Sequence, residues 1–335
     1  MRVRWGILST AAAAEPIIGA ARSVDGAEVV AVASRDLDRA RAFADRHGIA
    51  QAHGSYEALL ADPDVDAVYI PLPNALHVPW AIRALEAGHH VLCEKPFSRR
   101  PVDVDAAFDA AALAGRVLME GMMWRLHPRV EALGRLAREA VGEPRTVRAT
   151  FRFSLAGGPN VRRDPELEGG ALMDVGCYCV AALRLLCGEP ERVSAETVIG
   201  PTGVDERAVA TLRFPGGVLG TLDCAMDLPL HAALELAGSE GRLLVADPWP
   251  VPGEITVEGG ARRTPAAPDP ERTGPACPEV ADESADPFVV ELAEFCDAVR
   301  EGRPPRLGRE DALAQARVLD ALTRSAATGE PVGLP

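Results

Sequence analysis

The sequence predicts an α/β protein in two parts: an N-terminal Rossmann fold with a doubly wound parallel sheet, and a C-terminal α+β part with a large, mostly antiparallel sheet. Its 335 residues suggest two domains, at about 150 residues each. Over about the first 120 residues, short apolar runs alternate with helical patterns, as in parallel sheets. After Trp124, glycine turns separate segments in which apolar and polar residues alternate. We therefore expect two domains, 1–123 and 124–335.

In the first part, each predicted strand is a short apolar run, and helical patterns lie between successive strands. Strands separated in this way pair in parallel, because the connecting helices carry the chain back across the sheet. The predicted strands are Val3–Leu8, Glu28–Ala33, Ala67–Ile70, Val91–Cys93 and Val117–Glu120. The predicted helices are an alanine-rich one that ends near Ser23, then Leu37–His47, Ala75–Ala87 and Asp103–Ala114.

In the second part, turn signals such as Pro215-Gly216-Gly217 separate the alternating segments, which favours antiparallel pairing. Residues 248–287 are rich in proline, glycine and acids, and we expect a long surface excursion there. The predicted strands are Thr146–Ser154, Arg207–Phe214, Val218–Ala225 and Ala233–Ala237, and the predicted helices are Arg129–Glu139, Pro287–Glu301 and Arg309–Ala326.

Composition and charge exclude several classes of protein. The net charge of −14 repels phosphate backbones, so we expect no nucleic-acid partner. No apolar run reaches about 18 residues and no signal peptide is evident, which predicts a cytoplasmic protein without a membrane partner. The seven cysteines include one C-x-C at Cys177 and Cys179, but the spacing favours buried reduced thiols over a metal site. We therefore expect no metal.

The first βα turn has the position of a phosphate-binding turn but lacks glycine. The G-x-G-x-x-G pattern lets bare backbone approach a pyrophosphate at a helix N-terminus. Here its three positions are Ser9, Ala11 and Ala14, with Thr10 between the first two. All four residues are small, which is compatible with a dinucleotide site. The turn is equally compatible with an ordinary strand–loop–helix connection.

The end of the second strand bears on the choice of cofactor. NAD enzymes usually place a carboxylate at this tip for the ribose hydroxyls, whereas an arginine suits the 2′-phosphate of NADP. Ser34 and Arg35 occupy the tip, and the acid is displaced to Asp36. If the site binds a dinucleotide, the sequence favours NADP over NAD. The alternative is that Arg35 only begins a solvated helix.

Lys95 is the single lysine among 35 basic residues. It follows a short apolar strand, so we expect it at the carboxyl edge of the sheet, where ligands bind in open α/β folds. A lysine differs from arginine most where a site needs a compact ammonium that can lose its proton. Its neighbours Glu94 and Pro96 complete a Glu-Lys-Pro motif. A catalytic role for Lys95 is favoured over that of a surface charge.

Three further segments carry candidate residues. The loop Pro71-Leu72-Pro73-Asn74 follows the third predicted strand; Asn74 is positioned to cap the next helix, and a cofactor could also contact it. His77 fits either a packed or a solvated histidine. Asp174 and Tyr178 are four residues apart, on one face if their segment is helical. An acid and a phenol so placed, after the Gly169-Gly170 pair, form a candidate proton-handling pair.

The motifs taken together resemble the glucose–fructose oxidoreductase / inositol dehydrogenase (Gfo/Idh/MocA) family. They are the small-residue turn, Pro-x-Pro-Asn-x-x-His, Glu-Lys-Pro, Glu-Gly-x-Met-Trp-Arg and Gly-Gly-Ala-Leu-Met-Asp-Val-Gly-Cys-Tyr, in order, from about residue 3 to residue 330. The resemblance implies an NAD(P)-dependent oxidoreductase with residues 1–123 binding the dinucleotide, and residues 124–335 serving substrate binding and oligomerisation. The implied cofactor contacts are Ser9, Thr10, Ala11, Ala14, Ser34, Arg35, Pro71, Leu72, Asn74, His77, Glu94, Lys95, Trp124 and Arg125.

The same resemblance implies site roles and a substrate class. Lys95 is the implied central catalytic residue, with Glu94 near the nicotinamide ribose and Pro96 in a candidate cis bond. Asp174 matches the family carboxylate. Tyr178 stands where inositol-dehydrogenase-like members carry histidine, which favours the branch of glucose–fructose oxidoreductase, dimeric dihydrodiol dehydrogenase and NADP-dependent D-xylose dehydrogenase. The expected substrate residues are Lys95, Arg125, Asn160, Arg162, Asp174 and Tyr178.

The expected reaction is hydride transfer between nicotinamide and a carbinol or carbonyl carbon of a sugar, with an aldose oxidised at carbon 1 favoured. The alternatives are a 3-ketoreductase acting on a nucleotide-linked keto-sugar, a trans-dihydrodiol dehydrogenase, and a non-catalytic NADP-binding sensor. Either Tyr178 or Lys95 exchanges the hydroxyl proton. An antiparallel sheet with one uncovered face predicts a homodimer or homotetramer.

Overall fold

The computed structural model describes residues 2–249, 253, 255–259 and 285–335. The chain divides into two compact units. Unit 1 comprises Met1–Met123, Glu166–Glu168 and Asp286–Ala316. Unit 2 comprises Trp124–Pro165, Gly169–Ala285 and Arg317–Pro335. Two segments beyond residue 123, one from the middle of the chain and one from near its C-terminal end, thus belong to the first unit.

Unit 1 is built on a parallel sheet of six strands in the order β3-β2-β1-β4-β5-β6. The central strands are apolar on both faces, and every residue of Ala67–Ile70 is buried, because helices cover both sides of such a sheet. This confirms the predicted Rossmann fold. The strands are β1 Val3–Ile7, β2 Ala27–Ala33, β3 Gln51–His53, β4 Ala67–Ile70, β5 His90–Glu94 and β6 Leu118–Gly121.

The helices of unit 1 begin and end where local chemistry allows it. Asp36 accepts hydrogen bonds from two main-chain N–H groups and caps α2, which ends at Gly48 in the left-handed region. From the C-terminal segment, α8 packs Phe295 against Trp5 of β1, with ring centroids 4.9 Å apart. The helices are α1 Glu15–Ala21, α2 Leu37–His47, α3 Tyr56–Leu60, α4 His77–Glu86, α5 Pro101–Ala114 and α8 Pro287–Glu301.

Unit 2 contains an eight-stranded sheet in the order β13-β12-β11-β7-β10-β9-β8-β14. All neighbours pair antiparallel except β10 and β7, which confirms the predicted mostly antiparallel sheet. Burial alternates along β9, as expected when one face is covered. The strands are β7 Pro144–Ser154, β8 Arg192–Ile199, β9 Asp205–Arg213, β10 Leu219–Ala225, β11 Asp227–Gly238, β12 Gly241–Ala246, β13 Ile255–Gly259 and β14 Val332–Gly333.

The remaining helices are α6 Pro128–Ala140, α7 Cys177–Cys187 and α9 Arg309–Thr328. The prediction of a surface excursion over 248–287 is wrong for Ile255–Gly259, which pairs with β12 as a strand; residues 250–252, 254 and 260–284 lie outside the described residues.

One helical stretch in the described part of the chain, Pro165–Cys187, is long and apolar enough to cross a membrane by length and composition. Of its most apolar window, 78% is buried inside the protein. Such burial is typical of a core helix.

Candidate active site

The strand order of the parallel sheet reverses between β1 and β4, which are hydrogen-bonded neighbours. Across this pair the Leu8 N–H donates to the Tyr69 carbonyl at 3.0 Å. In open α/β sheets, ligands bind outside the carboxyl ends of the strands at such a reversal. The turns that follow Ile7, Ile70 and Glu94 therefore form the candidate cofactor site of unit 1.

The turn after β1 fits a pyrophosphate although it contains no glycine. Ser9 Oγ accepts the Ala11 N–H at 3.0 Å, and the Ala14 N–H donates to the Ala11 carbonyl at 2.9 Å. No residue from Ser9 to Ala14, Thr10 included, has a positive φ, so the turn does not need the conformational freedom of glycine. Ala11 is exposed and small, and the first N–H groups of the helical stretch Ala12–Ala21 have no acceptor within the helix.

Arg35 follows the end of β2, and Arg39 lies in the first turn of α2. Ser34 is buried, and its Oγ accepts the Asp36 N–H at 3.3 Å. Asp36 Oδ1 accepts the Arg39 N–H at 3.1 Å and is used as a helix cap. Arg35 is exposed. Burial raises the pKa of the Tyr56 hydroxyl, while the positive charges of Arg35 and Arg39 act to lower it, so both arginines lie near this hydroxyl. Two guanidinium groups at one strand tip suit a phosphate.

In the loop after β4, Asn74 does not have the capping role that the sequence predicted. Pro71 and Leu72 are buried, and Asn74 begins a short 3₁₀ turn. Asn74 does not cap that turn: its Nδ2 donates to the Glu168 carbonyl at 2.8 Å. The capping interpretation is therefore wrong, because a tertiary acceptor 94 residues away takes the amide.

His77 is fully buried at the start of α4. Its Nε2 lies 2.7 Å from the Leu72 carbonyl and its Nδ1 lies 2.9 Å from the Pro96 carbonyl. Burial lowers the pKa of His77 to about 4, against the opposite effect of these two carbonyls, so the ring is neutral at pH 7. The expected direct cofactor contact is not available to a buried ring, and His77 instead holds the loop and the residues after Lys95.

Lys95 follows β5 at the carboxyl edge of the sheet, and its peptide bond with Pro96 is cis. Glu94 Oε2 accepts the Lys95 main-chain N–H at 3.2 Å, and Glu94 Oε1 accepts the Tyr69 hydroxyl at 2.5 Å. The Tyr69 hydroxyl is also 3.3 Å from the Ala13 carbonyl. Burial, and after it the charge of Glu94, raises the pKa of Tyr69 far above its usual range. Tyr69 therefore keeps its proton and acts as the donor.

Two buried carboxyl groups near this edge were not assigned a role from the sequence. Glu120 Oε1 accepts the Phe97 N–H at 2.9 Å. Glu291, on α8, is 1% exposed, and its Oε1 has no hydrogen-bond partner among the described residues. Burial raises the pKa of Glu291 well above its usual range, and the charges of Glu94 and Glu120 raise it further. The available signal was an acid beside Leu292 on the apolar face of a helix.

We expect Glu291→Gln to stabilise the protein more at pH 8 than at pH 5. The folded state keeps the Glu291 proton while the unfolded state releases it above pH about 4.5, so stability falls as pH rises through that window. Glutamine removes this pH dependence. The variant's advantage in free energy of unfolding over the wild type therefore grows by up to about 1.4 kcal/mol for each pH unit above that value. Melting temperatures of both proteins at the two pH values measure it.

Glu294→Gln is the matched control on the same helix. Partial burial raises the pKa of Glu294, but hydrogen bonds from Arg303 outweigh this effect, so the pKa lies below its usual value. The distance from Arg303 Nη1 to Glu294 Oε1 is 2.8 Å. This substitution should therefore destabilise at pH 8, where the carboxylate is ionised, and less at acidic pH. Equal stabilisation by Glu291→Gln at both pH values would contradict a protonated Glu291.

In unit 2, Arg162 and Asp174 form an ion pair with an Nε–Oδ2 distance of 2.6 Å. Asn160 Oδ1 accepts the Arg162 N–H at 3.0 Å, so Asn160 caps the 3₁₀ turn that carries Arg162. Gly170 has a φ of 118°, and a Cβ there would lie 2.0 Å from Asp205 Oδ1. The glycine lets Asp205 Oδ2 accept the Leu172 N–H at 2.7 Å. Asp205, which the sequence analysis did not single out, thus helps to fix the segment of Asp174.

Asp174 and Tyr178 do not share a regular α-helix. Leu172–Gly176 forms a π-helix, and α7 begins only at Cys177. Single π turns inside helices occur frequently at functional sites. Asp174 is half-buried and Tyr178 is buried. The segment is thus helical over both residues, as the sequence analysis required, and its first turn is a π turn.

Tyr178 belongs to a cluster of four aromatic rings in unit 2. The Tyr178 ring centroid is 5.5 Å from those of both Phe151 and Trp249, and Trp124 meets Trp249 at 4.9 Å. The indole N–H groups of Trp124 and Trp249 are buried without an acceptor in the described part of the chain. Trp124 was expected at a cofactor and is buried in this cluster; the following residue, Arg125, is half-buried.

Three cysteines of unit 2 lie near the candidate site, and all three are buried: Cys177, Cys179 and Cys224. Burial raises the pKa of the Cys179 and Cys224 thiols well above the usual range. Such thiols stay protonated and unreactive. Among the residues that the structure describes, no group of three or more His, Cys, Asp or Glu side chains could hold a metal ion.

Comparison with known families gives two matches along the chain. Residues 3–122 match the oxidoreductase family with an NAD-binding Rossmann fold. Residues 131–244 match the GFO/IDH/MocA C-terminal domain.

Individual proteins are similar over most of the chain. D-xylose 1-dehydrogenase (NADP(+)) 2 of Haloferax volcanii is 39% identical over 335 residues, covering 98% of this chain and 99% of that protein. Trans-1,2-dihydrobenzene-1,2-diol dehydrogenase of Sus scrofa is 38% identical over 272 residues, covering 79% and 80%. The solved structure of a 3-ketoreductase from Actinomadura kijaniata, in complex with NADP and TDP-benzene, has a TM-score of 0.86 at 32% identity and covers 97% and 98% of the two chains.

Proposed function

The chain belongs to the Gfo/Idh/MocA oxidoreductase family, and on that premise we propose that it transfers a hydride between NADP and a carbinol or carbonyl carbon of a sugar. The favoured reaction is the oxidation of an aldose such as D-xylose or D-glucose at carbon 1. The similarity to an NADP-dependent D-xylose dehydrogenase over 98% of this chain supports this choice.

The observation that carries the proposal is the position of Lys95. The only lysine of the chain stands at the carboxyl end of β5, one strand beyond the reversal of strand order, with its main chain held by Glu94. An ammonium there is suited to stabilise a developing alkoxide. A surface lysine would need no such support.

The cofactor would be held by the residues at the carboxyl edge of unit 1. The turn from Ser9 to Ala14 would take the pyrophosphate, and Arg35 with Arg39 the 2′-phosphate. Pro71 and Leu72 would pack against the cofactor beyond the pyrophosphate. When bound, the nicotinamide supplies carbon 4 as the hydride donor or acceptor.

The residues of the chain then handle the substrate oxygen. Tyr178 takes the hydroxyl proton as general base, while Lys95 donates a hydrogen bond to that oxygen and stabilises its negative charge. In the alternative route, Lys95 itself takes the proton. Asp174 accepts a hydrogen bond from a neighbouring hydroxyl and is oriented by Arg162 at 2.6 Å. Arg125 and Asn160 supply further donors for a polyhydroxylated ring.

Reduction of NADP and of NAD, followed at 340 nm over a panel of aldoses, polyols and trans-diols, tests the proposal. We expect turnover with NADP and at least one aldose. Binding of NADP without turnover on any member of the panel would instead favour a non-catalytic sensor.

Tyr178→Phe should lower kcat about a hundredfold and leave the KM for NADP within about twofold, because it removes a proton acceptor and keeps the ring among Phe151 and Trp249. The pH dependence of kcat in both proteins is the measurement. Phe151→Leu is the control for altered packing around Tyr178. If Tyr178→Phe keeps wild-type kcat, the proton passes through Lys95.

A trans-dihydrodiol is the second candidate substrate, because the rings of Phe151 and Trp249 beside Tyr178 suit a planar apolar ring. Similarity to the dihydrodiol dehydrogenase of Sus scrofa supports it. A higher kcat/KM for benzene trans-dihydrodiol than for any aldose would favour dihydrodiol oxidation over aldose oxidation. A nucleotide-linked keto-sugar is tested in the same panel in the reductive direction.

We also propose that the enzyme is a cytoplasmic homodimer or homotetramer. The uncovered face of the sheet in unit 2 exposes Val198, Val209 and Leu219 on the adjacent strands β8, β9 and β10. Exposed apolar side chains on neighbouring strands are typical of an interface. Light scattering after gel filtration gives the oligomeric state, and Val209→Asp should shift it toward monomer.

A further inference from the structure

The hydroxyl of Tyr69 joins two segments to which the proposed function assigns the cofactor. On one side it lies 3.3 Å from the carbonyl of Ala13, in the turn that follows β1. On the other it donates to Glu94 at 2.5 Å, and the second oxygen of that carboxylate accepts the Lys95 N–H at 3.2 Å. A single buried oxygen atom therefore connects the pyrophosphate turn with the main chain of the proposed catalytic lysine.

Packing alone does not explain this hydroxyl. The four residues of β4 are all buried in a central strand, a place that an apolar side chain fills without need of a hydrogen bond. A buried phenol must instead find polar partners, and here one partner is in the turn after β1 and the other is the last residue of β5, so neither comes from β4. Because Tyr69 stays protonated, its single proton goes to the shorter contact with Glu94, and the Ala13 carbonyl is the secondary acceptor.

We propose that Tyr69 is a positioning residue of the oxidoreductase: by holding the Glu94 carboxylate beside the Ala13 carbonyl, it orients Lys95 and couples the pyrophosphate turn to the reaction centre. This inference rests on the proposed function. Tyr69 itself touches neither substrate nor reacting atoms and acts through Glu94. Without its hydroxyl, Glu94 Oε1 loses the hydrogen bond from Tyr69, and the carboxylate is held less firmly beside the Lys95 N–H.

Tyr69→Phe, which removes one oxygen atom and keeps the ring in the core, tests the inference. We expect kcat to fall about tenfold, the usual effect of losing a hydrogen bond to a charged acceptor, and the Kd for NADPH to rise several-fold. NADPH fluorescence on titration gives the Kd without turnover. Ser325→Ala is the control for the loss of one buried hydroxyl, because Ser325 Oγ accepts the Ala195 N–H at 3.0 Å in unit 2 and belongs to none of the proposed cofactor turns; its kcat and its Kd for NADPH should stay at the wild-type values.

A double-mutant cycle separates positioning from general stability. Glu94→Gln leaves an amide that cannot accept from both Tyr69 and Lys95, and should lower kcat more than Tyr69→Phe does. If Tyr69 acts through Glu94, the double variant has the kcat of Glu94→Gln alone, within about twofold. Multiplicative losses would overturn the inference and leave Tyr69 a structural role. This cycle is interpretable even where Tyr69→Phe lowers the melting temperature, since only the coupling in kcat is compared.

The outcomes distinguish this inference from the proposed function. If the wild-type protein neither binds NADPH nor reduces NADP with any substrate, the proposed function fails. If the wild type is active and Tyr69→Phe has wild-type kcat and wild-type Kd for NADPH, only the role of Tyr69 fails.

Discussion

Lys95→Met should lower kcat for sugar oxidation at least about a hundredfold while NADPH still binds, since methionine keeps the length of the side chain and removes its charge. The ammonium is the group proposed to stabilise the alkoxide. Its main chain stays held by Glu94 at 3.2 Å in the variant, so the fold of the β5 edge should persist. Steady-state kinetics and an NADPH titration measure the two effects separately.

Lys95→Arg separates the two proton routes. Arginine keeps a positive charge near the reacting oxygen but does not give up its proton at working pH. If Tyr178 exchanges the proton, Lys95→Arg should retain more activity than Lys95→Met. If Lys95 exchanges it, both variants should be equally inactive.

The composition allows a test on the unmodified chain. Lys95 is the only lysine, so acetylation by an amine-selective reagent, which removes the positive charge, modifies this side chain and the α-amino group alone. We expect inactivation to follow Lys95 modification, as mapped by mass spectrometry, and bound NADPH to slow it. Full activity after complete modification of Lys95 would contradict its catalytic role.

The elements that could be predicted from the sequence are those whose burial leaves a strong local pattern. Ala67–Ile70 and Leu37–His47 have the predicted bounds, because one is apolar on every residue and the other has an apolar helical face and a capping acid. Gln51–His53 was missed, since an edge strand of three half-buried residues has no such pattern. Ile255–Gly259 was missed because proline and glycine dominate the surrounding sequence.

The candidate site residues could be predicted from their positions along the chain. Most of the contacts that these residues make could not be predicted from the sequence. Lys95 comes one residue and Arg35 two residues after a strand ends, so their placement depends only on the strand pattern. In contrast, Asn74 bonds to Glu168, and Glu291 comes to the sheet edge from the C-terminal segment of unit 1. Such contacts depend on how distant segments pack, and no local signal encodes them.

Arg35→Ala combined with Arg39→Ala should lower the ratio of kcat/KM for NADP to that for NAD by about a hundredfold or more. The two guanidinium groups stand beside the tip of β2, while Asp36, the acid at that tip, is used as the cap of α2 through the Asp38 and Arg39 N–H groups. Each arginine–phosphate hydrogen bond to a charged group contributes about 1.5–3 kcal/mol. NAD lacks the phosphate, so its kcat/KM should change little.

Arg41→Ala is the control for charge on the same helix. Arg41 pairs with Asp38 at 3.5 Å in solvent, so its removal deletes one positive charge from α2 while Arg35 and Arg39 remain. Because exposed charges further than about 10 Å apart are largely screened at 0.1 M salt, the NADP-to-NAD ratio of this variant should stay within about threefold of wild type. If the double variant loses kcat/KM equally for both cofactors, the arginines stabilise the structure of the strand tip and do not recognise the phosphate. A loss confined to NADP, absent in Arg41→Ala and reduced as ionic strength rises, is the result that follows from a 2′-phosphate held by the two guanidinium groups.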